Sequence, residues 1–152
     1  MKKIQGNLIE MAKDGQFDVI LHGCNCMCEM GAGIAKAIRD NFPEAYQADL
    51  DTKSGDKNKL GTCSYAICRV NDHQLVVVNA YTQYDYKQQR KDQVLVDYEA
   101  VRSCMRWIKQ NYSGSRIGLP RIGAGLAGGD WDRISRIIDD ELGDEDVTLV
   151  EL

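Results

Sequence analysis

The sequence has no apolar run long enough for a membrane span or for the hydrophobic part of a secretory leader, and its opening MKKIQGNLIEMAKDG mixes two lysines with polar positions. Neither export nor membrane insertion is expected, and the expected location is cytoplasmic. A basic surplus is missing as well. The 19 Lys and Arg against 23 Asp and Glu leave a net charge of −4, which excludes a broad phosphate-tracking face for long nucleic acid but leaves room for a local diphosphate pocket. Two prolines, 43% hydrophobic and 28% charged residues describe an ordinary globular composition, and 152 residues suffice for one domain spanning 1–152 with its own core. Without an export signal, Cys24, Cys26, Cys28, Cys63, Cys68 and Cys104 are expected as reduced thiols. The first three are spaced more tightly than the common zinc patterns, and the nearest histidine, His22, lies in the same loop, so neither a metal nor an organic cofactor is expected.

What is present is concentrated in residues 19 to 38, VILHGCNCMCEMGAGIAKAI. Val19, Ile20 and Leu21 form an apolar run of β propensity, Gly31, Ala32 and Gly33 allow close backbone approach, and Ile34, Ala35 and Ile38 then fall at helical spacing. The amides that open such a helix are unpaired and carry the positive end of its dipole, so this junction suits a phosphate or pyrophosphate. A second junction of the same kind, PRIGAGLAGGDW, follows the short strand Ile117 to Leu119. Neither loop carries a lysine or a following GKS or GKT, which excludes a P-loop triphosphatase. Neither fits G-x-G-x-x-G with an acidic residue about twenty positions on, which a dinucleotide dehydrogenase needs. Together they predict a diphosphate held by amides from two sides.

The remaining elements alternate. Lys2 to Gln5 reads as a strand, followed by a brief helix or turn to Gly15, a strand at Phe17 to His22, and helices over Gly33 to Asp40 and from Pro43. A solvated connection is expected over Asp51 to Lys59. Thr62 to Val70 and Gln74 to Tyr81 predict a hairpin with His73 in its turn, and the polar, aromatic stretch after it predicts a flap at a pocket rim. Val94, Tyr98, Val101, Met105 and Ile108 are spaced four and three apart, a helix that buries one face. Asp130 is positioned to cap the helix carrying Trp131, Ile134, Ile138 and Leu142, and Val147 to Leu152 closes the chain as a strand. Strands alternating with helices imply a sheet covered on both faces, with ligands bound where loops leave the strand ends.

With Gly6, Asn7 and Leu8 after the first strand and TLVEL at the end, LHGCNCMCEMGAGIAKAI and LPRIGAGLAGGDW resemble the macrodomain family over essentially the full chain. The likeness is greatest to the branch holding the ADP-ribose 1''-phosphate phosphatase and the terminal ADP-ribose-protein glycohydrolase. It implies a three-layer α/β/α sandwich with a mixed sheet, working as a monomer on ADP-ribose or a derivative substituted on the distal ribose. Gly6, Asn7 and Leu8 would bind the ligand, with Asn7 standing where most members place an aspartate that binds the adenine amino group. Gly31, Ala32, Gly33 and Ile34 match the first diphosphate loop; Gly123, Ala124, Gly125, Leu126 and Ala127 match the second, and Pro120 and Arg121 before it are expected to bind the ligand as well. Asn25 would face the distal ribose, and His22 matches a histidine proposed for catalysis in the phosphatases. The chain departs from both branches. Gly123 stands where the phosphatases have an aspartate, and Thr82 or Gln83 and Ala127 stand where the glycohydrolases have a lysine and an aspartate. The function expected from the resemblance is hydrolysis of the 1''-phosphate, with water attacking beside His22 and Asn25. Its alternatives are a reader without turnover and a hydrolase that removes ADP-ribose from a modified protein or nucleotide.

Overall fold

A computed structural model describes all of residues 1–152. In chain order the elements are β1 (Lys2–Gln5), α1 (Leu8–Lys13), β2 (Val19–Cys24), α2 (Gly33–Asn41), α3 (Pro43–Leu50), β3 (Cys63–Val70), β4 (His73–Tyr81), α4 (Tyr98–Tyr112), β5 (Arg116–Leu119), α5 (Trp131–Leu142) and β6 (Asp146–Glu151). The strands form one sheet in the order β1-β6-β5-β2-β4-β3. Every neighbouring pair is parallel except the β3–β4 hairpin, so the sheet is mixed. No helix is long and apolar enough to cross a membrane.

Burial on both faces explains the unbroken apolar run of β2. Val19 and Leu21 join a cluster with Val101, Met105, Ile134 and Ile138 from α4 and α5, while Ile20 joins Leu8, Ile38 and Ala45 from α1, α2 and α3 on the opposite face. The result is an α/β/α sandwich. Between β5 and the segment entering β2 the approach is very close: a side chain begun at Gly118 would lie 2.8 Å from the Phe17 ring. Helix α4 opens at Tyr98 rather than Val94, because the Asp97 carboxylate accepts the Ala100 N–H at 2.9 Å. Residues before that cap instead pair across the cleft rim, Leu95 N–H donating to Ala127 O at 2.8 Å.

Three local expectations change. Strand β2 runs on to Cys24 because it pairs with β4 as far as Tyr81. The hairpin turn is made by Asn71 and Asp72, both with positive φ (46° and 66°), and His73 is already the first residue of β4. The charged connection contains a 3₁₀ turn at Lys57–Lys59, whose Lys59 is buried, donating to Cys26 O at 3.2 Å with its ammonium 4.6 Å from the Tyr81 ring centre.

Since β2 and β5 are adjacent and parallel, the chain leaves both at the same edge of the sheet. That placement brings residues 25–35 and 120–129 face to face.

Candidate functional site

Between these two segments lies a cleft of two lobes. The first, of about 520 Å³, is lined by residues 23–25, Glu29, 31–35, Gln83, Tyr86 and most of 120–127. The second, of about 610 Å³, is lined by Gly6, Asn7, Leu8, Ile9, Ala37, Val150, Glu151 and Leu152. Gly33, Ile34, Pro120 and Arg121 border both, so the lobes are joined there into one elongated groove.

The waist and one wall of the groove are rows of unpaired amides. Helix α2 is capped by Ala32, which has no side-chain acceptor to offer its first turn, and Gly33 enters the helix at φ +58°. The first helical bond is made by Lys36 N–H to Ala32 O, so the amides of Gly33, Ile34 and Ala35 open into the cleft. Across from them, loop 120–129 uses some of its amides internally, Ile122 to Pro120 O, Ala124 to Arg121 O, Gly128 to Gly125 O and Gly129 to Gly123 O, while those of Arg121, Gly123, Gly125, Leu126 and Ala127 have no acceptor in the chain. This loop depends on glycine at residue 123, which sits at φ +75° and where a side chain would start 2.6 Å from Val96 Cγ2. Two sets of free N–H groups around one waist, one of them at a helix N-terminus, form an anion cradle.

His22 is not part of the cleft. On β2 it points to the opposite side from Gly23, is fully buried, and does not line either lobe. Asn79 fixes its state: Asn79 Nδ2 donates to Ala45 O (2.9 Å) and Ser64 Oγ (3.0 Å), so its Oδ1 accepts from His22 Nε2–H at 2.7 Å. The relay continues, Ser64 Oγ meeting Tyr81 OH at 2.8 Å and Tyr81 OH donating to Asp49 Oδ1 at 2.7 Å. Burial pulls the His22 pKa down to about 4 against the opposing pull of Asn79, and the ring is neutral at pH 7. The expectation of a titrating histidine beside the ligand is therefore corrected: the core is covered on both faces here, and the face His22 occupies belongs to the interior.

The thiols divide similarly. Cys24 Sγ faces the His22 ring, Cys26 Sγ reaches Gln83 O at 3.5 Å, and Cys28 Sγ reaches Asp49 O at 3.2 Å, three directions that build no common site. Cys24 borders the cleft, but burial raises its pKa well above the usual range, so it offers a thiol rather than a thiolate.

A family model described as Macro domain matches residues 21–138. The chain belongs to the macrodomain family. An uncharacterized 17.5 kDa protein from the tk–vs intergenic region of Enterobacteria phage T4 is 32% identical over 158 residues, which cover 99% of this chain and 96% of the phage protein. The ADP-ribose 1''-phosphate phosphatase of Aspergillus oryzae is 46% identical over 46 residues, 30% of this chain and 21% of the fungal one. Among solved structures, Thermosipho africanus DarTG in complex with ADP-ribose superposes with a TM-score of 0.74 at 19% identity, over 100% of this chain and 42% of that one, a likeness of fold.

In this macrodomain the other expected site residues fall as follows. Gly6, Asn7 and Leu8 line the second lobe, Asn25 and residues 31–34 the first, and Pro120, Arg121, Gly123, Gly125, Leu126 and Ala127 border the groove, whereas Ala124 lines neither lobe and packs toward the core. The Asn7 side chain is already engaged, its Oδ1 accepting the Glu10 N–H at 3.0 Å as the cap of α1. Asn25 is also occupied: Nδ2 donates to Glu29 O at 2.8 Å and Oδ1 accepts from Met27 N–H at 2.9 Å. Gln83 and Tyr86 come from the anticipated flap. Thr82 lies beneath the cleft, its hydroxyl buried without a partner and 2.8 Å from where a Gly23 side chain would begin. Glu29, Cys24 and Ile122 also line the first lobe without having been expected there, and in sequence Glu29 is a lone acidic residue between two cysteines and a glycine loop, with no motif to mark it.

Proposed function

We propose that this macrodomain binds ADP-ribose derivatives and hydrolyses the bond between the distal ribose and the group it carries. The observation that carries this reading is the pair of free amide sets, Gly33, Ile34 and Ala35 on one side and Gly123, Gly125, Leu126 and Ala127 on the other, meeting at the waist of a two-lobed groove. A diphosphate fits between them. The lobe beside Asn7, Leu8 and Val150 takes the base, and the lobe beside Asn25 takes the distal ribose. The ADP-ribose bound to DarTG and the fungal phosphatase's named substrate support the same ligand class.

A phosphate on C1'' is the second reading for the carried group, and the local likeness to the fungal phosphatase favours it. The geometry favours it less. His22 is neutral and enclosed, and Arg121, the one cation lining the groove, is held by an ion pair with Glu151. An additional phosphate dianion finds no free cation in the distal lobe.

Titration calorimetry with ADP-ribose, ADP and AMP tests the binding claim. ADP-ribose should bind at least about tenfold more tightly than AMP, because AMP fills one lobe and cannot bridge the two amide rows. Equal affinity for AMP and ADP-ribose would remove the diphosphate cradle from the account.

A further inference from the structure

We propose that Glu29 is the catalytic carboxylate of this cleft, acting at C1'' of the distal ribose on substrates whose carrier is joined through oxygen. The inference rests on the ADP-ribose reading above and deepens it.

Glu29 is placed by a pinned turn. The Asn25 amide spans the loop, holding the Glu29 carbonyl at 2.8 Å and accepting the Met27 and Glu29 amides at 2.9 and 3.4 Å. Cys28 takes a left-handed conformation (φ 57°), and its thiol is tied to Asp49 O at 3.2 Å. This turn aims the Glu29 carboxylate along the glycine loop: Oε2 lies 4.0 Å from where a side chain on Gly31 would begin. Glu29 lines the first lobe only, on the side away from the base lobe, and its carboxylate enters no ion pair. It is the one carboxylate in that lobe.

An unneutralised carboxylate at this end suits one kind of chemistry. Breaking the bond from C1'' to a carrier oxygen builds positive charge over the ribose ring, which a facing carboxylate stabilises. The same group accepts the proton of the attacking water as the new C1''–O bond forms. The electron pair of the old bond leaves on the carrier oxygen, which takes a proton from solvent or from Glu29, and the products are ADP-ribose and the free carrier. Toward a phosphate monoester the carboxylate is repulsive, so Glu29 separates the two substrate classes. Asn25 is a positioning residue, acting through the turn.

The test compares wild type, Glu29→Gln and Glu29→Asp. Calorimetry with ADP-ribose comes first, followed by release of ADP-ribose from an ADP-ribosyl peptide and an ADP-ribosyl oligonucleotide, each joined to C1'' through oxygen, and release of phosphate from ADP-ribose 1''-phosphate. Glu29→Gln should bind ADP-ribose within about threefold of wild type or more tightly and lose at least about 100-fold in kcat on an ADP-ribosyl carrier. Glu29→Asp should recover part of the rate. A Glu29→Gln rate within about threefold of wild type overturns the proposal. So does a wild type that binds ADP-ribose yet releases it from neither carrier, including one that acts on the phosphate ester alone. A wild type that does not bind ADP-ribose defeats the functional reading itself, and the role of Glu29 with it.

Discussion

Two polar regions flank the exit of β2, and they are built on opposite plans. In the interior, His22, Asn79, Ser64, Tyr81 and Asp49 form a relay in which each donor meets an acceptor. In the cleft, the polar groups are mostly backbone amides, and those of Gly33, Ile34, Ala35, Gly123, Gly125, Leu126 and Ala127 have no acceptor in the chain. A relay closed on itself stabilises the fold and has nothing left to offer a ligand. A row of open donors contributes little to the fold and waits for an anion. The comparison teaches that in this macrodomain residue type is a poorer guide to function than the bookkeeping of hydrogen bonds.

The comparison breaks if interior substitutions alter binding or cleft substitutions alter stability by similar amounts. The largest effect is expected at Asn79. Asn79→Ala strands the His22 N–H and the Ala45 carbonyl, and denaturant titration should show a loss of about 3–5 kcal/mol, with ADP-ribose affinity of the folded protein unchanged. Next is pH. The His22 pKa is lowered from 6.5 to about 4 in the fold, so the unfolded chain takes up the proton first as pH falls. Its contribution is fully present above pH 6.5 and declines toward pH 4, by about 3 kcal/mol in all. Asp49 runs the other way, since burial raises its pKa. The His22 share is therefore isolated by comparing wild type with His22→Gln, which should show a shallower decline.

On the cleft side, Ala32→Asp supplies the cap that α2 lacks. Thermal melting should show a gain of about 1 kcal/mol, while calorimetry should show ADP-ribose affinity lower by about tenfold or more, because the new carboxylate occupies the anion site. The smallest effect is expected at Thr82, whose buried hydroxyl has no partner. Thr82→Val should stabilise the protein by about 1 kcal/mol. A loss instead would show that the hydroxyl has a role in the fold.

Much of the fold was legible because its signals are local. The heptad-like spacing of α4, Pro43 at the start of α3, Asp130 before α5 and the paired glycine loops each declare themselves within a dozen residues. The direction of His22 does not. With Val19, Ile20 and Leu21 apolar in succession, β2 has no polar alternation from which to read a face, and only its neighbours decide that His22 points toward Ala45 and Asn79. Lys59 was misread for a related reason, since a charged stretch reads as solvated until Tyr81 and the Cys26 carbonyl are brought beneath it. Val94 continued the helical spacing of α4 but precedes Asp97, and the cap outweighs one matching apolar position. Glu29 became visible only when the lining of the groove was known.

The bare start of α2 also makes the melting curve of this protein a meter of occupancy. A ligand that completes the first turn binds the folded chain and not the unfolded one, so once its free concentration exceeds Kd each further tenfold adds about 1.4 kcal/mol to stability. Candidate ligands can then be ranked by melting temperature alone, with no turnover required, and Ala32→Asp, which fills that turn from within, is the control in which the response should begin only at about tenfold or more higher ligand concentration.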